Sequence, residues 1–146
     1  MIFVTVGTGE FDKLVEQADY LSKIIKEKVI MQIGKSKYLP KNAEFFEFTE
    51  KFEEYVKKAR IVISHGGAGT TFYLLEKGKK IISVANLDRI DKHQIEILEK
   101  LSKENYLIYS KDFNLIESLE KAKNFKFKKY KKPKCRIDKE IIKFLE

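Results

Sequence analysis

Short runs of β-branched and aromatic residues alternate with amphipathic stretches along nearly the whole chain. This alternation constrains the fold more than any other feature. Residues 2–6 (IFVTV), 29–33 (VIMQI), 43–48 (AEFFEF), 60–64 (RIVIS), 80–84 (KIISV) and 106–109 (YLIY) have the length and make-up of strands. After the first run, Leu14, Val15, Ala18, Leu21, Ile24 and Ile25 fall on one face of a helix over residues 11–26. Residues 50–58 predict a short helix capped by Thr49, with Glu53 near capping-box spacing. Residues 68–77 predict a helix closed by Gly78, and residues 91–103 and 113–121 predict two more. Strands and helices repeatedly joined by short loops predict an α/β fold: a single Rossmann-like open parallel sheet with helices on both faces.

At 146 residues the chain holds one such domain, which we place over residues 1–122. Residues 123–146 read as a basic C-terminal extension, with a terminal helix at 138–145 beyond Pro133. From Lys121 to Arg136 there are nine basic residues and no acidic one. Such a run can attract nucleic acid, an anionic membrane surface or an acidic partner, and it is equally compatible with a solvated lysine-rich face. Phe125, Phe127 and Tyr130 interleave with the lysines, but no RNP-like motif accompanies them, which argues against nucleic acid. No apolar run approaches the ~20 residues needed to span a bilayer. The chain opens directly into MIFVTVGTG, with no signal-peptide pattern. A single cysteine, Cys135, cannot form an internal disulfide, and a cytoplasmic setting is expected.

In an open parallel sheet, ligands bind beyond the carboxyl ends of the strands near the switch in strand order. Two glycine-bearing loops fall there: Gly7-Thr8-Gly9 after the first strand, and His65-Gly66-Gly67-Ala68-Gly69-Thr70-Thr71 after the fourth. These strands are neighbours in a doubly wound sheet, so the two loops should face one crevice. Glycines allow close backbone approach, and a helix starting near Ala68 would point free N–H groups and its positive dipole end at an anion. A plain strand-to-helix turn could use the same residues. The Walker spacing is absent, and so is a dinucleotide fingerprint, since Lys13 follows where a third glycine would stand. A third polar cluster runs from Asn86 to Glu96 after the fifth strand; Asp91 can cap a helix, leaving His93 and Gln94 in its first turn. Asp88 and Asp91 are not at D-x-D spacing, so neither a metal site nor a cofactor is expected.

The segments MIFVTVGTGEFDKLV, MQIG with Tyr38-x-Pro40, VISHGGAGT, GKKIISV and N…DKHQIEILEKL together resemble one family. It is the donor-binding subunit of the two-part UDP-N-acetylglucosamine transferases of dolichol-linked oligosaccharide synthesis. The bacterial PssE-type polysaccharide subunits are its counterparts, and all are similar to the C-terminal half of MurG-like GT-B glycosyltransferases. The resemblance is collinear over residues 1–107. It implies a metal-independent glycosyltransferase component that holds a UDP-sugar. A membrane-anchored partner would supply the lipid-linked acceptor, so the chain would sit peripherally at the cytoplasmic membrane face.

Carried over by motif, Gly7, Thr8 and Gly9 would lie by the diphosphate. His65, Gly66, Gly67, Ala68, Gly69 and Thr70 would line the donor pocket, and Asn86, His93, Gln94 and Glu96 match an N…HQxE pattern near the sugar. Two positions depart from the pattern. Lys80 stands where relatives commonly have proline. Tyr73 stands where relatives have a glutamate that holds the ribose diol; Glu76 lies three residues on, on roughly the same helix face. The general base would come from the partner half, with His65 the weaker candidate. Two further readings remain open: a non-catalytic nucleotide-sugar sensor or scaffold, and a basic nucleic-acid-binding α/β protein.

Overall fold

The computed structural model describes residues 1–87 and 91–131. The expected terminal helix, Cys135 and Asp88 lie outside the described residues. Among the described residues, six strands and five helices follow one another, alternating except where β2 leads directly to β3: β1 (Ile2–Thr5), α1 (Asp12–Ile24), β2 (Val29–Gln32), β3 (Glu44–Phe46), α2 (Phe52–Lys58), β4 (Ile61–Ser64), α3 (Ala68–Glu76), β5 (Ile81–Ser83), α4 (Lys92–Lys103), β6 (Ile108–Tyr109) and α5 (Leu115–Asn124). The strands form one sheet in the order β3-β2-β1-β4-β5-β6, and every pairing is parallel. The order reverses between β1 and β4, so the loops that follow them flank the switch point.

Because helices cover both faces, the central strands β1, β2 and β4 are buried at every position, and their sequences are apolar up to a polar last residue, Thr5, Gln32 and Ser64. Alternate residues feed two cores. Ile2, Val4, Met31, Ile61, Ile63 and Ile82 pack with Leu14, Val15 and Leu21 of α1 and Leu115 and Leu119 of α5. Phe3, Val62 and Ile81 pack on the other side with Val56 of α2, Leu74 and Leu75 of α3, and Leu98 and Leu101 of α4. The edge strand β3 is largely exposed and shorter than its sequence implies.

Helix ends follow local chemistry. Gly78, at φ +70°, closes α3 as expected: its N–H bonds the Leu75 carbonyl and the Lys79 N–H bonds that of Leu74. The same arrangement ends α4, with Asn105 at φ +67° and bonds from Asn105 to Ser102 and from Tyr106 to Leu101. That turn uses residues 105–107, so β6 is shorter than the predicted 106–109 strand. Asp91 caps α4 through the Gln94 N–H. Thr49 does not cap α2. Its hydroxyl accepts from the Lys51 N–H two residues on, and the helix starts at Phe52 after an uncapped Lys51.

Residues after α5 stay against the domain. Phe125 and Phe127 pack on the first core, the Lys128 N–H bonds the Asn105 carbonyl at 2.8 Å, and Tyr130 joins the second core. There its ring centroid lies 5.8 Å from both Phe72 and Tyr106. No helix among the described residues is long and apolar enough to cross a membrane.

Candidate functional site

The pairing of β1 with β4 brings the two glycine loops together, and the His65 N–H bonds the Thr5 carbonyl at 3.1 Å. The first loop is held from below. Its Gly7 N–H donates to Thr5 Oγ1 at 3.0 Å, and Gln32 Nε2 donates to the Gly7 carbonyl at 2.9 Å. The loop after β2 braces it from the side, through Lys35 N–H to the Gly9 carbonyl and Phe11 N–H to Ser36 Oγ. On the far side Asn86 Nδ2 reaches the Glu10 carbonyl at 3.1 Å, tying the β5 loop to the same place.

The His65 imidazole is wedged between the two loops. A Cβ on Gly7, itself at φ +68°, would sit 2.9 Å from the ring's Cε1. A Cβ on Gly67 would collide with its Nε2. Both glycines are therefore required by the ring between them. Burial pushes the His65 pKa below its ordinary 6.5, with the nearby Thr5 carbonyl opposing this more weakly. No group meets Nδ1 in hydrogen-bonding geometry, so burial dominates and the ring is neutral at pH 7.

Behind the ring α3 begins with Gly67 as its N-cap, without a side-chain cap and without an acidic residue in its first turn. The leading amides of a helix have no intrahelical acceptors and carry its positive dipole end, so this terminus is open to an anion. Two recesses flank it. One, of about 230 Å³, is lined by Thr8, Gly9, His65, Gly67, Asn86 and Gln94 together with Val6, Glu10 and Phe11. The other, of about 390 Å³, is lined by Phe52, Glu53, Gly69, Thr70 and Tyr73.

The structure thus gathers most of the residues singled out from sequence, in two places. Gly66, at φ +80°, turns the chain against Leu98 and Val84, and Ala68 is buried. Tyr73 packs edge-on to Phe52 at 5.7 Å. Gly7, Gly66 and Ala68 shape the loops without lining either recess, and three further residues lie away from both. Glu76 is exposed on α3, while His93 and Glu96 are exposed and face each other at 3.8 Å. Sequence reasoning missed Gln32, Phe52 and Glu53. Gln32 carried a signal, as the only polar residue in an apolar strand. Phe52 and Glu53 carried none, because only the packing of α2 beside α3 makes them neighbours of Tyr73.

A single parallel sheet of this order, with glycine loops and a helix N-terminus meeting at its switch point, defines a Rossmann-like α/β domain. More particularly, the chain belongs to the glycosyltransferase family 28 C-terminal domain family, whose model matches residues 1–145. It is 36% identical over 121 residues to the UDP-N-acetylglucosamine transferase subunit ALG13 of Homo sapiens, covering 74% of this chain and 11% of that one. To the ALG13 subunit of Yarrowia lipolytica it is 33% identical over 100 residues, covering 66% and 51%. The chain therefore spans about a tenth to a half of these relatives' lengths. Among solved structures, the NMR structure of ALG13 superposes with a TM-score of 0.63 at 20% identity, covering 99% of this chain and 94% of that one. The crystal structure of the kitacinnamycin glycotransferase gives 0.66 at 14% identity, covering 84% and 34%. At these identities the structures speak for the fold.

Proposed function

We propose that this chain is the nucleotide-sugar-binding component of a two-part glycosyltransferase, with UDP-N-acetylglucosamine as its donor. The observation that carries the reading is the meeting of both glycine loops over the open N-terminus of α3, beside a recess of polar side chains. The relatives' description as UDP-N-acetylglucosamine transferase subunits supports the choice of donor.

In this reading the donor's diphosphate lies at the first turn of α3, where amide groups and the helix dipole offset its charge. The sugar enters the recess of Thr8, Asn86 and Gln94, whose side chains suit hydroxyl and acetamido groups. During transfer an acceptor hydroxyl oxygen bonds the anomeric carbon as the bond to the diphosphate breaks. The electron pair leaves with UDP, and charge grows next to the α3 amides, where it is stabilised without reorganisation. The acceptor's proton needs a base near that hydroxyl. Neutral His65 is seated between two glycines at the wall of the first recess; in this reading it serves as a spacer of the loops, and the base belongs to the acceptor-binding partner.

That partner is a membrane-anchored subunit holding a lipid-linked acceptor. Lysines of the 121–136 run add attraction to anionic lipid of about 1 kcal/mol per residue held near the surface. Titration calorimetry of the full chain with UDP-N-acetylglucosamine and UDP tests the donor assignment. Saturable 1:1 binding is expected, and no heat with any UDP ligand, alone or with the partner subunit, refutes it.

A further inference from the structure

We infer that the outer face of α1 and α5 is a seat for an anionic lipid surface, with Tyr20, Ile24 and Ile116 at headgroup depth and lysines around them. The inference extends the attraction of the lysines for lipid proposed above by naming the face and its apolar contact. It does not depend on the donor.

Both helices pack on the first core, through Leu14, Val15 and Leu21 of α1 and Leu115 and Leu119 of α5. An amphipathic helix ordinarily turns polar groups to water on its other side. Here Tyr20 is 57% exposed, Ile24 48% and Ile116 41%. Tyr20 and Ile24 are four residues apart, on one stripe of α1. Tyr20 and Ile116 line opposite sides of a groove of about 210 Å³ between the helices, with Leu21 and Leu115 also in its lining. The three side chains thus make one apolar strip, unlike the single exposed residues found on any surface.

Cations flank the strip. Lys23 on α1, Lys121 and Lys123 on α5, and Lys126 just beyond it are exposed. Of the acids on α5, Glu117 accepts from the Asn114 amide at 3.0 Å and Glu120 from Lys123 at 2.9 Å. Phe125 and Phe127, with ring centres 4.8 Å apart, both pack on the first core and so fix Lys126 between them. Lys121 Nζ lies 5.7 Å from the centre of the Phe125 ring. The lysines are therefore held beside the two helices.

Apolar side chains ringed by lysines suit a bilayer surface, where tyrosine sits at headgroup level and lysines extend to anionic lipid. Nucleic acid fits less well, because Phe125, Phe127 and Tyr130 pack on the cores and are not presented to bases. A second copy of the same face would oppose lysine to lysine. α1 starts at the carboxyl edge of the sheet after the first glycine loop, and α5 starts at that edge after β6. Resting on these helices, the protein holds both glycine loops beside the headgroups, where a lipid-carried acceptor emerges.

The test is flotation of the full chain with vesicles of phosphatidylcholine alone and with about a quarter phosphatidylglycerol. It compares the native protein with the double variant Ile24→Gln, Ile116→Gln and with Phe48→Gln, which changes a side chain 50% exposed just beyond β3. Anionic vesicles should be bound about tenfold or more tightly than neutral ones. The double variant should bind them about tenfold more weakly, with Phe48→Gln unchanged and all urea midpoints native-like. The chain contains no tryptophan, so Tyr20→Trp supplies a single fluorophore, whose emission should shift to the blue on binding. Full binding by the double variant, or a tryptophan that stays in water, overturns the inference and leaves the lysine attraction standing. No binding to either vesicle overturns both and leaves the donor reading intact, since UDP binding is measured separately. A native dimer that the double variant dissociates would give the face to a second copy and overturn the lipid seat.

Discussion

At the scale of single residues, His65 and its two glycines organise the site. Gly67 has φ −62° and ψ 136°, a conformation open to any residue, so Gly67→Ala tests the contact with the imidazole and not the backbone. The added methyl must displace the ring, and overpacking of this kind costs about 1–3 kcal/mol. We expect Gly67→Ala to remain folded, to unfold at lower denaturant, and to bind UDP-N-acetylglucosamine at least tenfold more weakly by calorimetry. Native-like affinity would mean that the ring's seat is unimportant to the ligand. The sequence marked His65, Gly7 and Gly67 as a set. It did not disclose that the histidine separates the loops, because that depends on β1 and β4 pairing side by side.

At the scale of elements, the loop after β2 is held by α1. Asp19 is buried, at 1% exposure, and its carboxylate accepts from the Lys41 and Asn42 N–H groups and from the Tyr38 hydroxyl. Burial raises its pKa, but these bonds together outweigh it and leave the carboxyl below its ordinary value. Asp12 adds bonds from the Lys37 and Tyr38 N–H groups. Replacing Asp19 by Asn keeps the shape and puts a donor where an acceptor is needed, at a cost of about 2–4 kcal/mol. Hydrogen exchange at Lys41 and Asn42 should accelerate in Asp19→Asn well before exchange in β1 does. Equal acceleration throughout would assign Asp19 to global stability only.

A second tie lies at the amino end of the sheet. The Arg60 guanidinium, 2.8 Å away, and the terminal amine hold Glu27 at a pKa of about 2 against an ordinary 4.5. The folded value is the lower one, so the unfolded chain binds more protons and stability rises with pH through this window. The contribution is present above about pH 4.5 and fades as pH falls towards 2. Partial solvent screening limits it to about 1–2 kcal/mol. The native protein should therefore lose more stability than Glu27→Gln between pH 5 and pH 3 in urea titrations; parallel losses would show that the pair contributes nothing.

Elements were largely legible from the sequence because Leu14, Val15, Ala18 and Leu21 mark α1 by spacing alone, and Gly78 and Asp91 mark helix ends through fixed stereochemistry. Where the reading slipped, local hydrogen bonding had prevailed. Thr49 satisfies its own loop and leaves α2 uncapped, and the Asn105 turn shortens β6.

At the scale of the whole molecule, strand order does what no motif can. It places residues 7–9, 65–70, 86 and 94 at one edge, and it was legible because parallel βαβ units admit few arrangements. The course of residues 125–131 was not legible: a run of lysines read as an appended tail, while Phe125, Phe127 and Tyr130 fasten it to both cores. The central claim is that the edge above β1 and β4 holds a nucleotide sugar across the α3 N-terminus. Backbone amide NMR of the full chain, titrated with UDP-N-acetylglucosamine, tests this most directly. The account predicts saturable shifts concentrated at Thr8, Gly9, Gly67, Gly69 and Thr70, extending to Glu53 and Gln94. Shifts confined to the lysines of residues 121–131, or none at saturating ligand, would contradict it.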